Sequence, residues 1–213
     1  LSGGTTEDIS GAFRVFESDG TSLIGTETSL SNAITTASNG NVIVIADGTT
    51  VSGDVTVDQA GITLLGSGVD GSAASFDSTL TLDANSITVR GLDFSPAASG
   101  DTSILLKGND SADGAIIDEN TFTGNGASDA IEVESSVTQG PNKRGLEITD
   151  NVFSGGSRGL FVNEDGNGGN TEFVFRGNTL DGTSTGGVVI DGLNGKSADV
   201  EIVDNSFSNN PVG

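Results

Sequence analysis

Three stretches of this chain, residues 145–153, 172–180 and 199–207, align without gaps, and their Asn residues (Asn151, Asn178, Asn205) stand 27 positions apart. Each stretch carries two apolar residues in alternation, Leu146/Ile148, Phe173/Phe175 and Val200/Ile202, with the Asn three residues after the second. An earlier copy holds Ala115, Ile117, Asn120 and Phe122, and degenerate ones hold Ile87, Val89, Leu92 and Phe94, then Ile62, Leu64, Ser67 and Val69. A second alternating column keeps the same period: Val55/Val57, Leu80/Leu82, Ile104/Leu106, Ile131/Val133, Leu160/Val162 and Val188/Ile190. A fixed period of this length marks a solenoid, and alternation of apolar and polar residues marks strands with one buried face.

Two strand columns sharing one repeat require each coil to return over the last, with neighbouring strands parallel and about 4.8 Å apart. The expectation is an all-β chain, a right-handed parallel β-helix of about seven coils, in one domain over residues 1–213. Asn tolerates left-handed backbone at a bend, and stacked amides can bond along the axis. A ladder of Asn120, Asn151, Asn178 and Asn205 is therefore predicted. Leu30, Ala33, Ile34 and Ala37 recur at helical spacing, with Ser29 or Ser31 as N-cap and Gly40 beyond. This predicts a capping helix within 28–40, after a lead-in over 1–27 and before coils over 41–213. Residues 209–213 offer no comparable cover, so the last coil is expected to be open, its further coils removed or its edge covered by another subunit.

Thirty acidic residues against eight basic ones give a net charge of -22. That balance repels nucleic acid and anionic lipid, and it makes self-association depend on salt or divalent cations. The absence of Cys and His removes thiol nucleophiles, Ser-His-Asp triads, disulfides and His- or Cys-ligated metals. No apolar run approaches the roughly 18 residues of a membrane helix, so no membrane insertion is expected. A start without Met fits a processed chain or an excised domain, and an extracellular or cell-surface location is the expectation.

The stretch 33–50, followed by Val55-Thr56-Val57 and Ile62-Thr63-Leu64-Leu65-Gly66, resembles the opening coils of pectin-lyase-like β-helices, and the later Asn-Xaa-Phe coils resemble the same superfamily. The resemblance spans about residues 28–207 and speaks for fold more than for function, because the superfamily holds lyases, esterases, tailspikes and adhesive or surface-layer modules. For its lyases, it implies acidic calcium ligands near a proton-abstracting Arg or Lys. No motif here maps onto that arrangement, although Lys143, Arg144, Arg158, Arg176 and Lys196 are basic side chains in the later coils. Arg176 is expected outside, one coil beyond Glu147 and Thr149, as a surface ion pair. No catalytic or cofactor-binding residue is assigned.

Two sets of side chains are candidates for contacts. Asp58, Asp83, Lys107, Glu134, Asn163 and Asp191 should form an outward column. Together with Glu164 and Asp165, its acids Asp58, Asp83, Glu134 and Asp191 are the weak metal candidates, calcium being the cation that hard oxygen ligands suit. Apolar residues at outward parity, Leu105, Phe161 and Val189 on one face and Ile116, Val174 and Val203 on another, should gather from neighbouring coils into an interface. The longest departures from the coil, 134–145, 163–172 and 191–199, collect on one edge that solenoids can use for binding. The resulting expectation is an exported structural module in a filament, sheath or surface layer, or an adhesive surface domain. Its partners would be copies of itself or a cell-surface polysaccharide. The alternative is a polysaccharide lyase or related carbohydrate-active enzyme acting on acidic glycans.

Overall fold

A computed structural model describes residues 12–68, 73–108, 112–134, 143–163, 171–191 and 198–211. The chain is a parallel β-solenoid with three faces, built from a nine-stranded, a seven-stranded and a six-stranded sheet. Two strands of the first sheet are an antiparallel N-terminal addition. Among the described residues six coils are therefore complete and a seventh lacks its third strand, slightly fewer than the sequence suggests.

Register follows from side chains that repeat once per coil. The first sheet buries a row Ile43, Leu64, Val89, Ile117, Ile148, Phe175 and ends on Ile202. The third buries both apolar positions of the second sequence column, as in Val55 over Leu80 and Val57 over Leu82. A slip of one residue would turn such a strand inside out, so the alternating pattern holds the register.

The second sheet lies between these two, in strands of only two to four residues such as Ser75–Phe76 and Val152–Gly155. Its inward row runs Val51, Phe76, Phe94, Phe122, Phe153, Leu180 and Phe207. The rings of Phe76, Phe94, Phe122 and Phe153 stack with centroids 5.0, 5.0 and 4.8 Å apart, the strand spacing itself. What the sequence presents as bend positions is thus a third strand column.

The Asn ladder is present at the corner between the first and second sheets. The Asn120 backbone N–H and Nδ2 both donate to Asn151 Oδ1, at 2.9 and 3.1 Å, and the same pair of bonds joins Asn151 to Asn178 and Asn178 to Asn205. Each Nδ2 also donates to a carbonyl one coil back, Val89, Ile117 and Ile148 for the first three and Phe175 for Asn205. The left-handed residue is the one before the Asn: Glu119, Asp150 and Asp204 have φ of 54°, 53° and 54°, and Gly177 has 68°. The Asn itself stays out of that region because its amide has to point into the corner.

At the N-terminal end α1 (Leu30–Thr36) buries Leu30, Ala33 and Ile34, and Ser29 is the N-cap, its Oγ accepting from Asn32 N–H at 3.2 Å. The segment expected to be a lead-in contains β1 (Phe13–Phe16) and β2 (Leu23–Glu27), an antiparallel hairpin. β1 pairs antiparallel with β3 (Val42–Ile45) and closes that edge of the first sheet. The signal for this hairpin is Asp19-Gly20: Gly20 has φ 68° and Asp19 Oδ1 accepts from Thr21 and Ser22 N–H.

Candidate interaction surfaces

The acidic column forms in register at the end of the third sheet, where Asn163 lies beside Asp191 and each preceding pair follows from aligned strands. Its middle is occupied by an ion pair, Lys107 Nζ standing 3.0 Å from Glu134 Oε2. Asp58 and Asp83 lie on one side of that pair and Asp191 on the other, all exposed. Among the described residues no three acids come together as a ligand group. Glu164 and Asp165 lie outside the described residues, as does most of each of the three edge departures at 134–145, 163–172 and 191–199.

The outward apolar residues are only partly brought together. On the third sheet the row runs Leu105, Glu132, Phe161, Val189, so Phe161 meets Val189 while Glu132 separates Leu105 from both. Thr102 Oγ1 donates to that glutamate at 3.0 Å. Phe161 is 9% exposed, because the Arg158 guanidinium lies 3.4 Å above its ring centroid. On the first sheet Ile116 and Val174 share a row in which Glu147 stands between them, and Val203 belongs to another row, beside Arg176. Six apolar side chains therefore yield one adjacent pair; alternating charge along the coils breaks up the rest.

Arg90 and Arg158 are engaged by carboxylates. Arg158 Nε donates to Asp129 Oδ1 at 2.8 Å and a terminal nitrogen reaches Oδ2, a bidentate pair on a carboxylate 6% exposed. Arg90 bridges Asp118 at 3.4 Å and Glu119 at 2.8 Å, and the Glu119 hydrogen bond raises the guanidinium pKa. Arg176 is exposed and lies across the sheet from Thr149, the expected neighbour, but among the described residues it does not make the expected ion pair. The Lys143 and Arg144 side chains and Lys196 fall outside the described residues.

The third surface is the end of the last coil, expected from the sequence to be open. Ile202 and Phe207, inward residues of the last coil, are 44% and 47% exposed, whereas the row-mates before them, Phe175 and Leu180, are 0% exposed. Val188, Ile190 and Val200 at the same end are partly uncovered. A cleft of about 400 Å³ opens there, lined by Gly187, Val188, Phe207, Asn209, Asn210 and Pro211. No helix among the described residues is long and apolar enough to cross a membrane. The geometry is thus a set of faces and an apolar coil end, and neither a family, nor a curated protein, nor a solved structure matches the chain in comparison.

Proposed function

We propose that this chain is a structural β-solenoid module that associates with copies of itself through its coil ends, in a filament, sheath or surface layer, or within an adhesive surface protein. The supporting observation is the last coil: Ile202 and Phe207 point along the inward rows yet stay nearly half exposed. Both are already more than half covered, so a coil of matching register would add roughly 1 kcal/mol each. The reading includes a place on the structural or adhesive branch of the pectin-lyase-like superfamily and an extracellular or cell-surface location. Calcium enters it as a bridge between the acidic columns of neighbouring molecules, where Asp58, Asp83 and Asp191 are exposed and the net charge of -22 otherwise opposes contact.

The lyase reading has less support, since the guanidinium groups of Arg90 and Arg158 are tied to carboxylates. Sedimentation velocity of the chain and of Phe207→Asp tests the proposal. Salt-dependent association that the substitution abolishes supports it, and association unchanged by Phe207→Asp removes the coil end from the account.

A further inference from the structure

The outer face of the second sheet has a chemistry unlike the rest of the surface. Its strands present two outward positions per coil, one on each side of the inward Phe or its equivalent. The middle coils carry Thr121 and Thr123, then Val152 and Ser154, then Thr179 and Asp181, aligned strand over strand. The ends of the face carry Thr50 and Ser52 and, six strands on, Ser206 and Ser208. Ser and Thr fill most of the array. Asp77 and Asp181 accept from Ser52 and Ser208, at 2.8 and 2.7 Å, so two of its carboxylates are engaged by hydroxyls of the same face. The block Thr121, Thr123, Val152, Ser154 and Thr179 has no charge at all, in a chain of net charge -22.

This face is also flat and fixed. Behind it the Phe122 and Phe153 rings are 6° from coplanar and 4.8 Å apart, and those of Phe94 and Phe122 are 12° from coplanar. Beside it the last four strands each begin directly after a rung of the Asn ladder, as Thr121 follows Asn120 and Val152 follows Asn151. The outward side chains therefore form a two-dimensional lattice, about 4.8 Å between strands and about 6.6 Å between alternate residues of one strand.

We infer that this face binds an ordered water lattice, the surface of ice. Each hydroxyl both donates and accepts, as a lattice water does. The Thr methyls and Val152, 46% exposed, fill the spaces between hydroxyls with groups that hold no competing water tightly. The shorter oxygen repeat of hexagonal ice falls close to the strand spacing. The alternatives fit the face less well. A sugar surface is gripped by exposed aromatic rings, and here Phe76, Phe94, Phe122 and Phe153 are each 1% exposed. A protein partner needs a buried apolar centre, for which Val152 alone is available. This inference does not depend on association through the coil ends.

The test is ice-recrystallisation inhibition and thermal hysteresis of the full chain, of T121Y/T179Y, and of T56Y, which places a tyrosine at an exposed position of the third sheet. All three proteins are checked for unchanged circular dichroism. The inference predicts ice activity in the parent and in T56Y, and its loss in T121Y/T179Y. An inactive parent, or activity that survives T121Y/T179Y, overturns it, and so does binding to particulate chitin or cellulose without any effect on ice.

Discussion

The Asn151 side chain makes four buried bonds. Its Oδ1 accepts from the backbone N–H and Nδ2 of Asn120, and its Nδ2 donates to the Ile117 carbonyl and to Asn178 Oδ1. Asn151→Ala strips partners from groups that water cannot reach, each costing about 1–3 kcal/mol. The expected loss is roughly 2–5 kcal/mol in urea denaturation. Asn205→Ala, at the exposed end of the same ladder, should cost clearly less, and equal losses would mean that the ladder does not carry the stability assigned to it. The sequence showed the Asn positions through their spacing, but it assigned them the left-handed bend that Asp150 and its equivalents occupy. Spacing locates a corner to within a residue or so, whereas the bond pattern decides which residue turns.

A similar argument applies to Arg158. Removing the guanidinium leaves Asp129, whose side chain is 7% exposed, without its counter-charge and uncovers the Phe161 ring. Arg158→Ala should therefore destabilise by about 3–5 kcal/mol, read as a shift in the denaturation midpoint. A change below about 1 kcal/mol, the range of exposed pairs, would place this contact among ordinary surface ion pairs.

At the scale of elements, the first and third sheets were readable because their strands repeat apolar residues at alternate positions once per coil. The second sheet was not, since strands such as Ser75–Phe76 and Asp93–Phe94 contribute a single inward side chain and have no period of their own. The Phe column was visible and its strand geometry was not. That column makes a direct prediction. Phe122 is flanked by rings on both sides, so Phe122→Ala opens a cavity in a stack that cannot collapse and should cost about 3–5 kcal/mol. Phe207, on the last coil, has one side open, and Phe207→Ala should cost roughly 1 kcal/mol. Chemical denaturation of the two variants separates them, and similar costs would indicate that Phe207 is covered in solution by something other than its own coil. The interaction surfaces were harder to read than the sheets. Whether Ile116 meets Val174, or Leu105 meets Phe161, depends on cross-coil register, and the intervening Glu147 and Glu132 become visible only once that register is fixed.

For the whole molecule, two features pull in opposite directions. A net charge of -22 keeps copies apart at low ionic strength, while the last coil leaves Ile202 and Phe207 in water. Salt lowers the first without touching the second, so association should rise with ionic strength, and calcium should add to it if the acidic edges bridge. The most direct measurement of this balance is negative-stain electron microscopy of the purified chain at high salt, once with excess calcium and once with chelator. The account predicts rods or sheets longer than the roughly 30–35 Å of a single stack, growing further with calcium. Short dispersed particles under every condition would contradict association through the coil ends.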